Sequence, residues 1–286
     1  MMRLNVGFKF SWQVLIVLVI PVLFSTHSIA ADTDNSSLKI QDKKALTLGF
    51  FPIISTVALY KRFGPLAQYL SEELNRPVQL KTSKNFPTFF KRTSERAYDL
   101  VITAPHFAVK ANDSKKYNIR TTLISNVQQL VITHKSSSIS SIDQLSGKVV
   151  STPPNKALMT KMGKDMFHQA GMINDRAPVY RAYNSHNAAN EAVLAGKAVA
   201  AIASSNIVKK MIKKGGALKI IGKGLQFPNM ATLIASDIDK ETETLVINAF
   251  TNMKNSKKGR ATLKKIGFPG YRRIEADEYE VVRPYL

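Results

Sequence analysis

The chain has 286 residues, 44% of them hydrophobic, and carries 41 Lys and Arg against 20 Asp and Glu, a formal net charge of +21. That length accommodates two modest α/β domains, each with a core. There is no cysteine, which excludes a disulfide framework, a thiolate metal site, a cysteine nucleophile and a lipid-anchored N-terminal cysteine.

Residues 1–30 read as a secretory signal peptide. Arg3 and Lys9 form a basic start, residues 12–24 are an apolar run interrupted by Pro21, and Ser28 and Ala30 place small residues at the −3 and −1 positions. This predicts a cut after Ala30. The run is short for a membrane span. Removing residues 1–30 takes away two positive charges and leaves +19. On an exported protein such a charge suits anionic small molecules, lipid headgroups or an acidic partner, and no nucleic acid is expected.

Residues 31–44 are polar and aperiodic, a flexible lead-in. Residues 45–51, ALTLGFF, read as a first strand that Pro52 ends. Residues 53–57 turn into a helix whose apolar stripe is Leu59, Phe63, Leu66, Leu70 and Leu74. A second strand at 78–80 and a short helix at 86–95 follow. Residues 97–108, AYDLVITAPHFA, then give strand, tight turn and helix in twelve positions, with Pro105 at the first helical place. Residues 196–211, GKAVAAIASSNIVKKM, repeat that plan. Two such units imply two similar lobes facing one cleft, because ligands of open α/β sheets bind outside the carboxyl ends of strands, near helix N-termini.

Between and beyond them, strands are expected at 121–124, 130–133, 148–151, 179–182, 218–221 and 230–235. Residues 141–147 form a short capped helical turn. Thr152, Pro153, Pro154 and Asn155 make a second strand-to-helix corner, and the next helix carries Leu158, Met162, Met166 and Ala170 before Gly171. Residues 183–187, YNSHN, make a third corner into a helix that runs through Leu194 to Gly196. Asp239 can cap a helix with Glu241 and Glu243 in its first turn. That helix should bury Leu245, Val246, Ala249, Phe250 and Met253, and 254–265 should continue it as a basic helix. Residues 279–286 are a terminal helix or tail. The alternation specifies an α/β fold with one lobe at 45–127 plus 230–286 and the other at 132–225.

With these corners in place, nearly the whole chain after residue 30 resembles the phosphate/phosphonate-binding periplasmic component of ABC transporters. LTLGFFPIISTVALYKRFGPLAQYLSEELNRPVQL is similar to that family's opening strand, proline turn and helix. YDLVITAPHFA resembles its "G-P-x-x-Y" corner, and SSISSIDQLSGKVV its passage into the second lobe. YNSHNAANEAVLAGKAVAAI, FPNMATLIA and GFPGYRRIEADEYEVVR match in order. The resemblance implies a two-lobed type II periplasmic-binding-protein-like fold with the ligand cleft between lobes. It also implies a periplasmic location, delivery of a small anionic ligand to a membrane permease, a monomer, no cofactor and no catalysis. The same fold can instead serve a sensor that docks on a membrane-bound kinase or cyclase.

The chain departs from the family pattern at three places. The "S-x-S-G" corner reads Ser151, Thr152, Pro153, Pro154, Asn155, where two prolines remove backbone donors. The Asp of the second-lobe "G-x-v-D-a" falls on Val199. In the "G-P-x-x-Y" corner the glycine is Ala104 and the tyrosine Ala108. A ligand-gripping carboxylate and an aromatic contact are thereby called into question.

The expected ligand-binding residues are His186, which matches the family histidine, with Ser185 and Asn187 beside it; Thr152 and Asn155; His106 and Thr103; Ser55 and Tyr60 after the first strand; and Ser204 and Ser205. Asp99 reads as structural, and His134 and His168 as surface residues. No HExxH spacing, G-x-S-x-G elbow or GxxxxGK loop occurs, so neither a metal site nor an enzyme is indicated.

Overall fold

The computed structural model describes residues 44–286; the expected signal peptide and nearly all of the lead-in lie outside them. The first half of the chain runs β1 (Leu46–Phe50), α1 (Thr56–Glu73), β2 (Val78–Lys81), α2 (Phe86–Ser94), β3 (Leu100–Thr103), α3 (Pro105–Asp113), β4 (Tyr117–Leu123), β5 (Val127–His134), β6 (Val149–Thr152) and α4 (Leu158–Gln169). The second half runs β7 (Val179–Ala182), α5 (His186–Leu194), β8 (Ala200–Ser204), α6 (Ser205–Lys213), β9 (Leu218–Phe227), β10 (Ala231–Ala235), α7 (Lys240–Thr251), α8 (Lys257–Ile266), β11 (Tyr271–Arg273) and a C-terminal 3-10 helix, Ala276–Tyr285.

These strands form two mixed sheets, ordered β11-β4-β10-β3-β1-β2 and β7-β6-β8-β5-β9. In the first, β1, β2 and β3 are parallel; in the second, β6, β7 and β8 are parallel. Each parallel strand is followed by a helix, so α1 to α6 all begin at the carboxyl edges of their sheets. β10 runs antiparallel to β3, so α7 begins at the opposite edge. The chain crosses between sheets twice, at residues 124–126 and 228–230, which gives two lobes.

Apolar spacing accounts for the elements. Leu59, Phe63, Leu66 and Leu70 of α1 are buried on one stripe. Each such side chain contributes about 1.5–3 kcal/mol relative to exposure. Asp239 caps α7, accepting from the Thr242 amide at 2.8 Å. Gly196 closes α5 at φ 68°, a left-handed turn that a side chain would strain.

Three expectations need correction, and one strand is unanticipated. β9 spans ten residues rather than four, because its pairing with β5 extends a pattern that Gly222 and Gly224 blur. Leu245 is 42% exposed, since the buried stripe of α7 runs through Val246, Ile247, Ala249 and Phe250. The basic segment after it is a separate helix, recapped at Ser256, whose hydroxyl accepts from the Gly259 amide at 2.9 Å. β11, too short to leave a pattern, pairs with β4.

Candidate ligand-binding site

Acidic residues are favoured in the first turn of a helix, where they meet the positive end of the dipole. α7 follows that rule with Glu241 and Glu243 behind its Asp239 cap. The six helices at the carboxyl edges do not: α1, α2, α3, α4, α5 and α6 have no acidic residue in their first turns. Their N-termini keep an uncompensated positive end, an arrangement that binds oxyanions.

His106 lies in the first turn of α3 and is 3% exposed. Neither of its ring nitrogens has a hydrogen-bond partner among the described residues. Burial, then the charges of Lys161 and Lys110, push its pKa down to about 3, so the imidazole is neutral. The backbone of Lys156, from the other lobe, lies beside the ring without reaching hydrogen-bond geometry. His106 therefore sits where α3 of one lobe meets the loop before α4 of the other. Thr103, at the end of β3, is 1% exposed and its hydroxyl is also unpartnered. Buried polar groups are nearly always paired; Thr121, Thr232, Asn190 and Tyr271 also carry unpartnered buried atoms, and what sets His106 and Thr103 apart is their place at the carboxyl edge of β3.

His186 opens α5 and is partly buried. Its Nδ1 is buried without a partner, and desolvation lowers its pKa, which favours the neutral ring over the imidazolium. Ser185 is spent as the cap of α5, accepting from the Ala188 amide at 3.1 Å. Thr152 is buried and donates to the Pro153 carbonyl at 2.9 Å, where Thr160 also donates at 3.0 Å. The Ser205 hydroxyl accepts from the Gln128 amide at 3.0 Å, tying α6 to β5. Ser204 precedes α6 without a side-chain cap bond, and Ser55 likewise precedes α1, exposed. Asn155 and Asn187 are exposed. Tyr60 lines a hollow of about 740 Å³ on the first lobe, with Thr56, Thr82, Lys84 and Arg92; no residue of the second lobe contributes to it.

Gln129 is a candidate that the sequence reading missed. It is 1% exposed, both ends of its amide are unpartnered, and it pairs across strands with Ser204. The signal was present: Val127, Gln129 and Val131 alternate, which puts a polar side chain at an inward position.

Asp99 is structural, as expected. Its carboxylate accepts from the Thr47 amide at 2.7 Å and hydroxyl at 2.8 Å, and it pairs with Arg96 at 3.2 Å. Position 199 has the same standing in the second lobe. The Val199 amide donates to the Val149 carbonyl at 2.9 Å, as the Asp99 amide does to Thr47 at 3.1 Å. It lies before β8, at the edge away from the helix N-termini. A carboxylate at 199 would stand at that edge, as Asp99 does in the first lobe.

Two α/β lobes joined by two crossing segments, with the α3 N-terminus of one beside the loop before α4 of the other, have the architecture of a two-lobed solute-binding protein. The chain belongs to the family described as "ABC transporter, phosphonate, periplasmic substrate-binding protein", whose sequence profile matches residues 48–279. It is a periplasmic binding component of a phosphonate ABC transporter, and this family is a transporter component rather than an enzyme. Among solved structures it is similar to the binding protein component of an ABC phosphonate transporter from Pseudomonas aeruginosa, at 13% identity and TM-score 0.69, over 85% of this chain and 86% of that one. It is also similar to PhnD1 of Prochlorococcus marinus in complex with methylphosphonate, at 15% identity and TM-score 0.72, over 85% and 97%. A Xanthomonas citri protein bound to ATP matches at 12% identity and TM-score 0.69, over 85% and 100%. No curated protein sequence matches the chain.

Proposed function

We propose that the chain captures a phosphonate or related small oxyanion between its lobes and presents it to a membrane permease. The observation that carries this is the buried, unpartnered His106 at the α3 N-terminus, against the Lys156 loop of the other lobe. A neutral imidazole, the Thr103 hydroxyl and the positive ends of the α3 to α6 dipoles suit a desolvated oxyanion. His186 and Gln129 complete the same set, with Ser204, Asn155 and Asn187 as outer donors. PhnD1 in its methylphosphonate complex supports the ligand class. In this reading the mature protein begins after Ala30 and acts as a monomer in the periplasm.

The test is dye-reported thermal melting of residues 31–286 with phosphate, phosphite, alkylphosphonates, sulfate and small carboxylates. The only tryptophan, Trp12, is absent from that chain, so an external dye is needed. A ligand at a hundred times its Kd stabilises by about 2.7 kcal/mol, several degrees in Tm. A salt-insensitive shift with a phosphorus oxyanion, lost in His106→Ala, is the expected result. No shift with any of these anions would overturn the reading.

A further inference from the structure

From the charge of the strand-to-helix corners we infer that the cleft selects an oxyanion whose organic part carries no cationic group, so that amine-bearing phosphonates are rejected. This rests on the oxyanion-binding reading above and names the substrate class of the same site. The corners at the carboxyl edges are residues 51–56, 82–85, 103–106, 152–157, 183–187 and 204–206, and the crossing segments are 124–126 and 228–230. None of them contains Asp or Glu, whereas Lys84 and Lys156 are among them. The first turns of α1 to α6 are equally free of acid.

An ammonium group drawn into a closing cleft loses its hydration, and only a carboxylate or several well-placed carbonyls can replace it. The fields established at the corners have the wrong sign. The helix N-termini are positive, and Lys161 is close enough to His106 to depress its protonation. The position where the family pattern has its second-lobe Asp lies before β8, at the far edge of the sheet, so an acid there would not serve either. An alkyl group meets no such penalty. Phe86, exposed at the start of α2, and Phe107 beside His106 offer apolar surface near the corners.

The experiment is isothermal titration of residues 31–286 with ethylphosphonate and aminomethylphosphonate, which differ by CH₃ against NH₃⁺ at equal size, with methylphosphonate and phosphate alongside. The expected result is binding of ethylphosphonate and roughly 100-fold weaker binding of aminomethylphosphonate, about 2.8 kcal/mol. A ratio under about tenfold would overturn the inference and leave the oxyanion reading standing. Binding of methylphosphonate without ethylphosphonate would also overturn it, because size rather than charge would then set the selection. If none of the four binds, both the inference and the reading beneath it fail.

Discussion

Val199 stands in the second sheet where Asp99 stands in the first: each precedes a central strand, and each amide donates to the strand beside it, to Val149 at 2.9 Å and to Thr47 at 3.1 Å. Only Asp99 adds a carboxylate clip, on the Thr47 amide and hydroxyl. The second lobe has dispensed with that clip. Val199→Asp should therefore change anion affinity less than twofold, measured by titration, because the site lies at the other edge of the sheet.

Asp99→Ala should cost about 1–3 kcal/mol, since it leaves the half-buried Thr47 donors without their acceptor, while Arg96 keeps its pairing with Asp237. Burial pushes the Asp99 carboxyl up, but the Thr47 amide, the Thr47 hydroxyl and the Arg96 guanidinium outweigh it and hold its pKa below the usual range. A depressed carboxylate contributes stability above its unfolded pKa of about 3.9 and loses it as pH falls through the lower folded value. Denaturant midpoints of wild type and Asp99→Ala should thus differ most above about pH 5 and draw together as pH falls through the lowered folded value.

His106 gives the opposite family of groups the same slope. Its folded pKa of about 3 lies below the ordinary value of 6.5. The unfolded chain binds a proton between those values that the folded chain refuses, so stability is full above pH 6.5 and falls as pH drops toward 3. The loss reaches roughly 3–5 kcal/mol at the acid end. His106→Gln should flatten that part of the Tm-against-pH curve, and an unchanged curve would show that the ring is not buried neutral.

Tyr279, on the C-terminal helix, donates to the Asn229 carbonyl at 2.7 Å, and its oxygen lies 3.0 Å from the Thr122 hydroxyl. Asn229 in turn donates to the Ser125 carbonyl at 3.2 Å, linking the two crossing segments. Tyr279→Phe should cost about 1–2 kcal/mol. Hydrogen exchange should quicken at residues 228–230 more than in either sheet, because the lost bond anchors a crossing segment and not a strand.

Gly163 lies inside α4 against β8, where a Cβ would stand 2.5 Å from the Ile202 side chain. Gly163→Ala gains about 1 kcal/mol of helix propensity in isolation. Overpacking against a fully buried neighbour costs about 1–3 kcal/mol, so the net change should be destabilising in chemical denaturation.

Much of this was written in local pattern. The stripe of α1, the Asp239 cap and the strand–turn–helix plan at Pro105 needed only neighbours a few residues away, and the alternation of strands and helices declared the α/β class. Order and spacing of the family segments carried the identity of the chain. Tertiary structure decided what required distant partners. Leu245 faces outward because the sheet beneath α7 selects the other stripe, and β9 reaches ten residues because β5 lies beside it. At the site, a hydroxyl's availability depends on which backbone group reaches it first: Thr152 and Ser205 are bonded within their lobes, whereas Thr103, His106 and Gln129 are buried without a partner among the described residues. Residue type names a possible donor, but burial and the geometry of its surroundings determine whether that donor is free for a ligand.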